Sequence, residues 1–170
     1  AAVNADHQRI RGSLQAQGPK LTPAEIVEKV QAAMRELRAA AGLVPPGRFT
    51  QRPGPDDWSG NEVMAHVVAA GRYFGGAIMA LSAGRPLPAR PAGRGNQDAP
   101  LLPAEEWLDI LERDRAELFA RALTADPQGH LDGTVEHPFF GPLNWRETLL
   151  FMRVHDLDHA GQLKQIAAVV

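Results

Sequence analysis

The chain has 170 residues, 44% hydrophobic and 22% charged, a make-up that suits one globular domain with a core large enough to fold without disulfide or metal staples. A formal net charge of -2 supplies no broad positive field, which argues against duplex nucleic acid or an anionic membrane as main partner and leaves small molecules or proteins. Cysteine is absent, so thiolate catalysis, thiolate metal ligands and disulfides are excluded together, and His, Asp and Glu remain as metal ligands.

No basic segment leads into an apolar one at the N-terminus, and no apolar run approaches the roughly 18 to 20 residues of a membrane span, which predicts a cytoplasmic protein. Residues 1–20 are only weakly periodic and read as either a short helix or a mobile lead-in. The first firm helix starts at Thr22-Pro23-Ala24-Glu25, a capping box with Pro at the first helical position, and is expected to reach about Ala41, with Gly42 as its stop. Ile26, Val30, Ala33, Met34 and Leu37 form its buried stripe. The breaker-rich segment from Pro45 to Pro55 reads as a surface connection.

Ser59-Gly60-Asn61-Glu62 is a second capping box, opening a helix to about Ser82. His66 lies on or beside its apolar stripe of Val63, Val67, Ala70, Phe74, Ile78 and Leu81, and so points toward the core. Residues 83–102 form a Pro- and Gly-rich connection longer than antiparallel neighbours need, which suggests a crossover between helices running the same way. Its Arg85, Arg90 and Arg94, together with Arg72 and Arg153, are conceivable contacts for an anionic substrate. The third helix starts at Pro103-Ala104-Glu105-Glu106; Asp114 interrupts its stripe and reads as a partner for a buried Arg or a boundary residue rather than as a group that orients a metal ligand. After a turn-rich link from His130 to Leu143, Asn144-Trp145-Arg146-Glu147 caps a fourth helix that is apolar nearly all round from Leu149 to Val154. Four helices without alternating apolar runs that demand strands predict an all-α four-helix bundle.

The fourth helix carries His155 and His159 four residues apart, on one helical face, where two imidazoles can share a metal ion. The pair looks like a His-Glu-x-x-His protease motif with Asp156 in the glutamate position. Only 11 residues follow His159, none of them His, Asp or Glu, so the downstream third ligand of such a protease is missing. A third ligand must come from elsewhere: His66 is the leading candidate, and His137, in the link before the last helix, is the next. Three buried histidines without a metal would each lose solvation, which favours an open three-histidine metal site. Glu62 and Asp156 are candidate acceptors of imidazole N–H groups, although Glu62 reads first as a helix cap, and Asp156 and Asp158 as solvent-facing charges.

Trp58-x-x-x-Glu62-Val63-x-x-His66, then His137-Pro138-x-x-Gly141-Pro142-Leu143, then His155-x-x-x-His159-x-x-Gln162-Leu163 together resemble the DinB/YfiT-like superfamily of metalloenzymes. The resemblance implies a single DinB-like bundle over residues 1–170, with an up-down-down-up arrangement and a long crossover between helices 2 and 3, often as a homodimer. It places the metal ligands at His66, His155 and His159. Zinc, nickel and iron all suit three imidazoles. Relatives in that family include thiol-dependent transferases and isomerases using mycothiol, bacillithiol or glutathione, which implies a metal-held low-molecular-weight thiol and a small electrophile as substrate, with no nucleic-acid role. A metal-dependent hydrolase, a non-catalytic metal-binding or stress-response bundle, and a bundle whose histidines are simply core residues are the competing readings. No catalytic residue beyond the ligands stands out.

Overall fold

The computed structural model describes residues 5–91 and 98–170. Among them the chain forms α1 (Ala5–Gln17), α2 (Pro23–Leu43), α3 (Gly60–Ser82), α4 (Ala104–Thr124) and α5 (Trp145–Val169), with a hairpin of β1 (Val135–His137) and β2 (Gly141–Leu143) ahead of α5. The last four helices are the expected bundle, and α1 gives the lead-in helical form. Arg94, one of the expected anion contacts, lies outside the described residues, as does the start of the lead-in.

Three helices begin where the sequence signals place them. At α2, Glu25 N–H donates to Thr22 Oγ1 and Thr22 N–H to Glu25 Oε1, both at 3.1 Å, and the same reciprocal pairs join Ser59 with Glu62 at α3 and Asn144 with Glu147 at α5. Each box satisfies N–H groups that the first helical turn leaves without a carbonyl. The end of α2 differs from expectation: the helix runs through Gly42 to Leu43 and stops at Val44, before Pro45. One glycine costs a helix only about 1 kcal/mol, whereas a residue ahead of proline is pushed out of the helical region.

The core consists of two apolar clusters, one at each end of the bundle. One joins Ile26 and Val30 from early α2, Ile78 and Leu81 from late α3, Leu118 and Ala122 from late α4, and Trp145 and Leu149 from early α5. The other joins Leu37 and Ala40 from late α2, Val63 and Val67 from early α3, Trp107 and Leu111 from early α4, and Leu163 and Ile166 from late α5. Thus α2 and α5 run one way and α3 and α4 the other, an up-down-down-up bundle. Two buried polar anchors fix the same directions. Arg146 at the start of α5 donates to the Leu21 carbonyl beside the start of α2, and Asn61 Oδ1 at the start of α3 accepts from Trp107 Nε1 at the start of α4, at 2.8 Å. The 23 residues of α3 rise about 34 Å, a length that the chain between α3 and α4 is long enough to retrace.

By length and composition alone α3 is long and apolar enough to cross a membrane. Its apolar residues are spread among Glu62, His66 and Arg72 rather than collected in one run, and in the fold it is a bundle helix packed on α4 and α5.

The hairpin was not foreseen. Its strands have three residues each, too short to show alternation, and pair antiparallel with Val135 opposite Leu143 and His137 opposite Gly141. Gly141 takes φ +71°, the left-handed region that glycine enters without strain. The hairpin's apolar face, Val135 and Leu143, joins the first core cluster, while α1 lies along α5 with Leu14 as its buried anchor.

Candidate metal centre

His155 and His159 stand one turn apart on α5, and antiparallel α3 brings His66 to face them. The His155 Nε2 atom lies 3.2 Å from His66 Nε2 and 3.2 Å from His159 Nε2, and the three ligand nitrogens lie within 4.8 Å of one another. Nitrogen ligands 2.0–2.1 Å from a tetrahedral zinc stand about 3.3 Å apart, so these separations suit one shared ion. Among the described residues this is the His, Asp and Glu group whose ligand atoms converge in that way. His159 Nδ1 is 2.8 Å from Gln162 Oε1. An amide oxygen only accepts, so the pair keeps the proton on Nδ1 and leaves Nε2 as a lone pair directed at the other rings. Gln162 belongs to the motif that carries the resemblance, but no spacing argument assigned it this role.

The surroundings keep the His66 and His155 rings neutral. Burial brings His155 down to about 2, with repulsion from His159, His66 and Arg115 adding to it, and brings His66 down to about 4, with His159 adding. A neutral imidazole offers the lone pair that metal binding requires. The Trp58 ring, with its centroid 5.2 Å from that of His66, forms the wall behind it.

The remaining candidates take other places. His137 is buried at the end of β1, where Nδ1 accepts from the N–H groups of Phe139 at 3.1 Å and Phe140 at 3.3 Å in the turn that follows. Its ring is stacked on Phe140 and lies outside the three-nitrogen cluster, while burial, with Arg90 and His7 adding, brings it down to about 4. Glu62 is the α3 cap and also accepts from Arg52 Nε and Nη2, both at 2.8 Å, which together hold its carboxyl below the usual range.

Asp156 corrects the expectation of a solvent-facing charge. It is 0% exposed, and its two oxygens accept from Arg115 Nη1 at 2.8 Å and Nη2 at 2.9 Å, so its bonds run to α4 rather than to an imidazole. The helix turns its side chain inward one position after His155, toward an arginine 41 residues earlier in the chain. Asp158 is exposed, as expected. Asp114 pairs with the exposed Arg72 at 2.8 Å, and the buried arginine is its neighbour Arg115.

The three imidazoles face a cavity of about 660 Å³ between α1, α3, α5, the hairpin and the crossover. Phe74, Phe139, Phe140 and Phe151 are among its apolar lining, with Tyr73, Arg90 and Asp158 among the polar groups. That volume lies within the range of small-ligand sites. An ion held by these three nitrogens would have its remaining positions free for other ligands, the donor count found in catalytic rather than structural sites.

A family model described as the DinB superfamily matches residues 15–163, a span that includes all three imidazoles, His137, Glu62 and Asp156 but leaves out most of α1. Four solved chains match the fold. One of them, described as TT2238, a four-helix bundle protein, aligns with a TM-score of 0.63 and 24% identity over 85% of this chain and 99% of its own. No curated protein matches the sequence.

Proposed function

The chain belongs to the DinB superfamily, and from that premise we propose that it is a metal-dependent enzyme of the low-molecular-weight-thiol transferase or isomerase type, holding one divalent transition metal on His66, His155 and His159. The observation that carries this reading is the convergence of three imidazole nitrogens at one side of a largely apolar cavity. A divalent cation bound there supplies the positive charge that keeps a thiol ionised or polarises a carbonyl. Zinc, nickel and iron fit the donor set equally.

The chain's own residues prepare that chemistry. Gln162 fixes the tautomer of His159, burial keeps His66 and His155 unprotonated, and the phenylalanines give the cavity an apolar wall. Among the described lining residues there is no Ser, Thr or Lys, and the sequence has no cysteine, which supports a nucleophile that enters with a cofactor or substrate. A hydrolase is the second reading, supported by Asp158, a carboxylate in the lining one residue before His159 that can accept a proton from water.

Protein purified without a metal-affinity tag is expected to carry about one equivalent of transition metal by elemental analysis, and His155→Ala or His159→Ala to carry none. Metal-loaded protein should then turn over small electrophiles only when mycothiol, bacillithiol or glutathione is supplied. Absence of metal in the wild type would overturn the metal site. Thiol-independent ester or amide cleavage that is lost in Asp158→Asn would replace the transferase by the hydrolase.

A further inference from the structure

We propose that the cavity selects an elongated, largely apolar small molecule with a single anionic group, the anion held by Arg90 and the opposite end delivered to the three imidazoles. The inference deepens the proposed function, because the end delivered to the imidazoles is the end that would react.

Arg90 is the arginine in the cavity lining. Elsewhere Arg38, Arg52, Arg72 and Arg115 each meet a carboxylate, but the partners of Arg90 among the described residues are neutral: Nη2 donates to the Glu136 carbonyl at 2.9 Å, and the guanidinium stands 5.0 Å from the Tyr73 ring centroid. A guanidinium has five N–H donors in a planar fork, so these contacts fix its position while leaving donors for a carboxylate. The lining carboxylate, Asp158, lies at the other end, next to His159, and disfavours an anion there in the metal-free protein. The cavity is therefore polarised, with a cation at one end and a carboxylate beside the imidazoles at the other.

The distance between those ends follows from α3. Tyr73, which carries Arg90, is seven residues beyond His66 on the same helical face, two turns or about 10 Å along the axis. Rings line the path. The His137 ring lies 4.5 Å from that of Phe151, which is 5.2 Å from Phe74 and 5.7 Å from His155. At the rim His7 of α1 stacks on Phe139 at 4.5 Å. His7 lies in the part of α1 outside the residues 15–163 that match the family model.

The test uses phenylbutyrate and its neutral counterpart phenylbutanol, both close to the required length. Titration calorimetry on chelator-treated protein is expected to show the acid binding about five- to tenfold more tightly than the alcohol, the contribution of one charge pair at a partly exposed site. Arg90→Gln, at an exposed position, should erase that preference while changing the alcohol by less than about twofold, and Phe139→Ala should weaken both ligands. Equal affinity for acid and alcohol, a preference that survives Arg90→Gln, or no binding of either would overturn the inference. Zinc is titrated separately. Zinc uptake without acid preference leaves the metal centre standing and removes this inference, whereas acid preference without zinc uptake does the reverse.

Discussion

Asp156→Asn tests how far the middle of the bundle depends on one ion pair. The wild-type carboxylate takes two charge-assisted hydrogen bonds from Arg115, and the two side chains are 0% and 3% exposed. The amide can accept one of those bonds but carries no charge, so a buried guanidinium, whose Nε already lacks a partner, is left uncompensated. Breaking one side of such a pair costs about 3–5 kcal/mol, while replacing both partners by apolar residues can be nearly neutral. In a domain of this size 1 kcal/mol moves Tm by about 2–4 °C, so a fall of roughly 6–20 °C is expected. Urea unfolding and thermal scans on chelator-treated protein measure it. Asp114→Asn is the internal control, because its partner Arg72 is 61% exposed and surface pairs contribute about 0–1 kcal/mol. The double variant Arg115→Met/Asp156→Leu should recover most of the loss. If Asp156→Asn and Asp114→Asn lose equally little, or the double variant is worse than the single one, the pair does not hold the waist as argued.

Other outcomes follow from the same geometry. Gln162→Leu removes the acceptor that fixes the His159 tautomer, and should weaken zinc binding by about 10–100-fold in calorimetric titration, while Lys164→Ala on the same helix leaves it unchanged. His137 titrates near 4 in the fold against about 6.5 when unfolded. Between those pH values the unfolded chain holds a proton that the native chain does not, so the contribution is complete above about pH 6.5 and is lost as pH falls toward 4, by at most about 1.4 kcal/mol per pH unit. His137→Asn keeps an oxygen acceptor for the Phe139 and Phe140 N–H groups, and should flatten part of this acid limb in urea titrations of metal-free protein. An unchanged acid slope would show that His137 is not a neutral buried group.

The bundle was legible because three of its helices announce themselves with an acceptor and a glutamate three residues on, and because apolar stripes at helical spacing survive any tertiary context. The His155 and His159 pair was legible for the same local reason. What escaped depends on distant partners or on elements too short to have a period. Asp156 reads as a surface charge until Arg115 is known to face it from α4, and Asp114 was weighed as the partner of a buried arginine when the residue beside it is that arginine. Gly42 was given the stop that Pro45 provides. The hairpin, with three residues per strand around His137 and Gly141, is too short to show a period, and so the cavity wall it builds was out of reach.

The division of the core has a dynamic consequence. Since the four bundle helices bury one apolar cluster at each end and a charged pair with three imidazoles between them, the bundle is expected to open as two short cooperative units in series rather than as one. Amide hydrogens at the two ends of α5 are then expected to exchange through separate openings, with the turn from Arg153 to Asp158 as the seam. Anything that bridges α3 and α5 at that seam would make the two openings rise in cost together, turning a pair of half-bundles into a single slow-exchanging body.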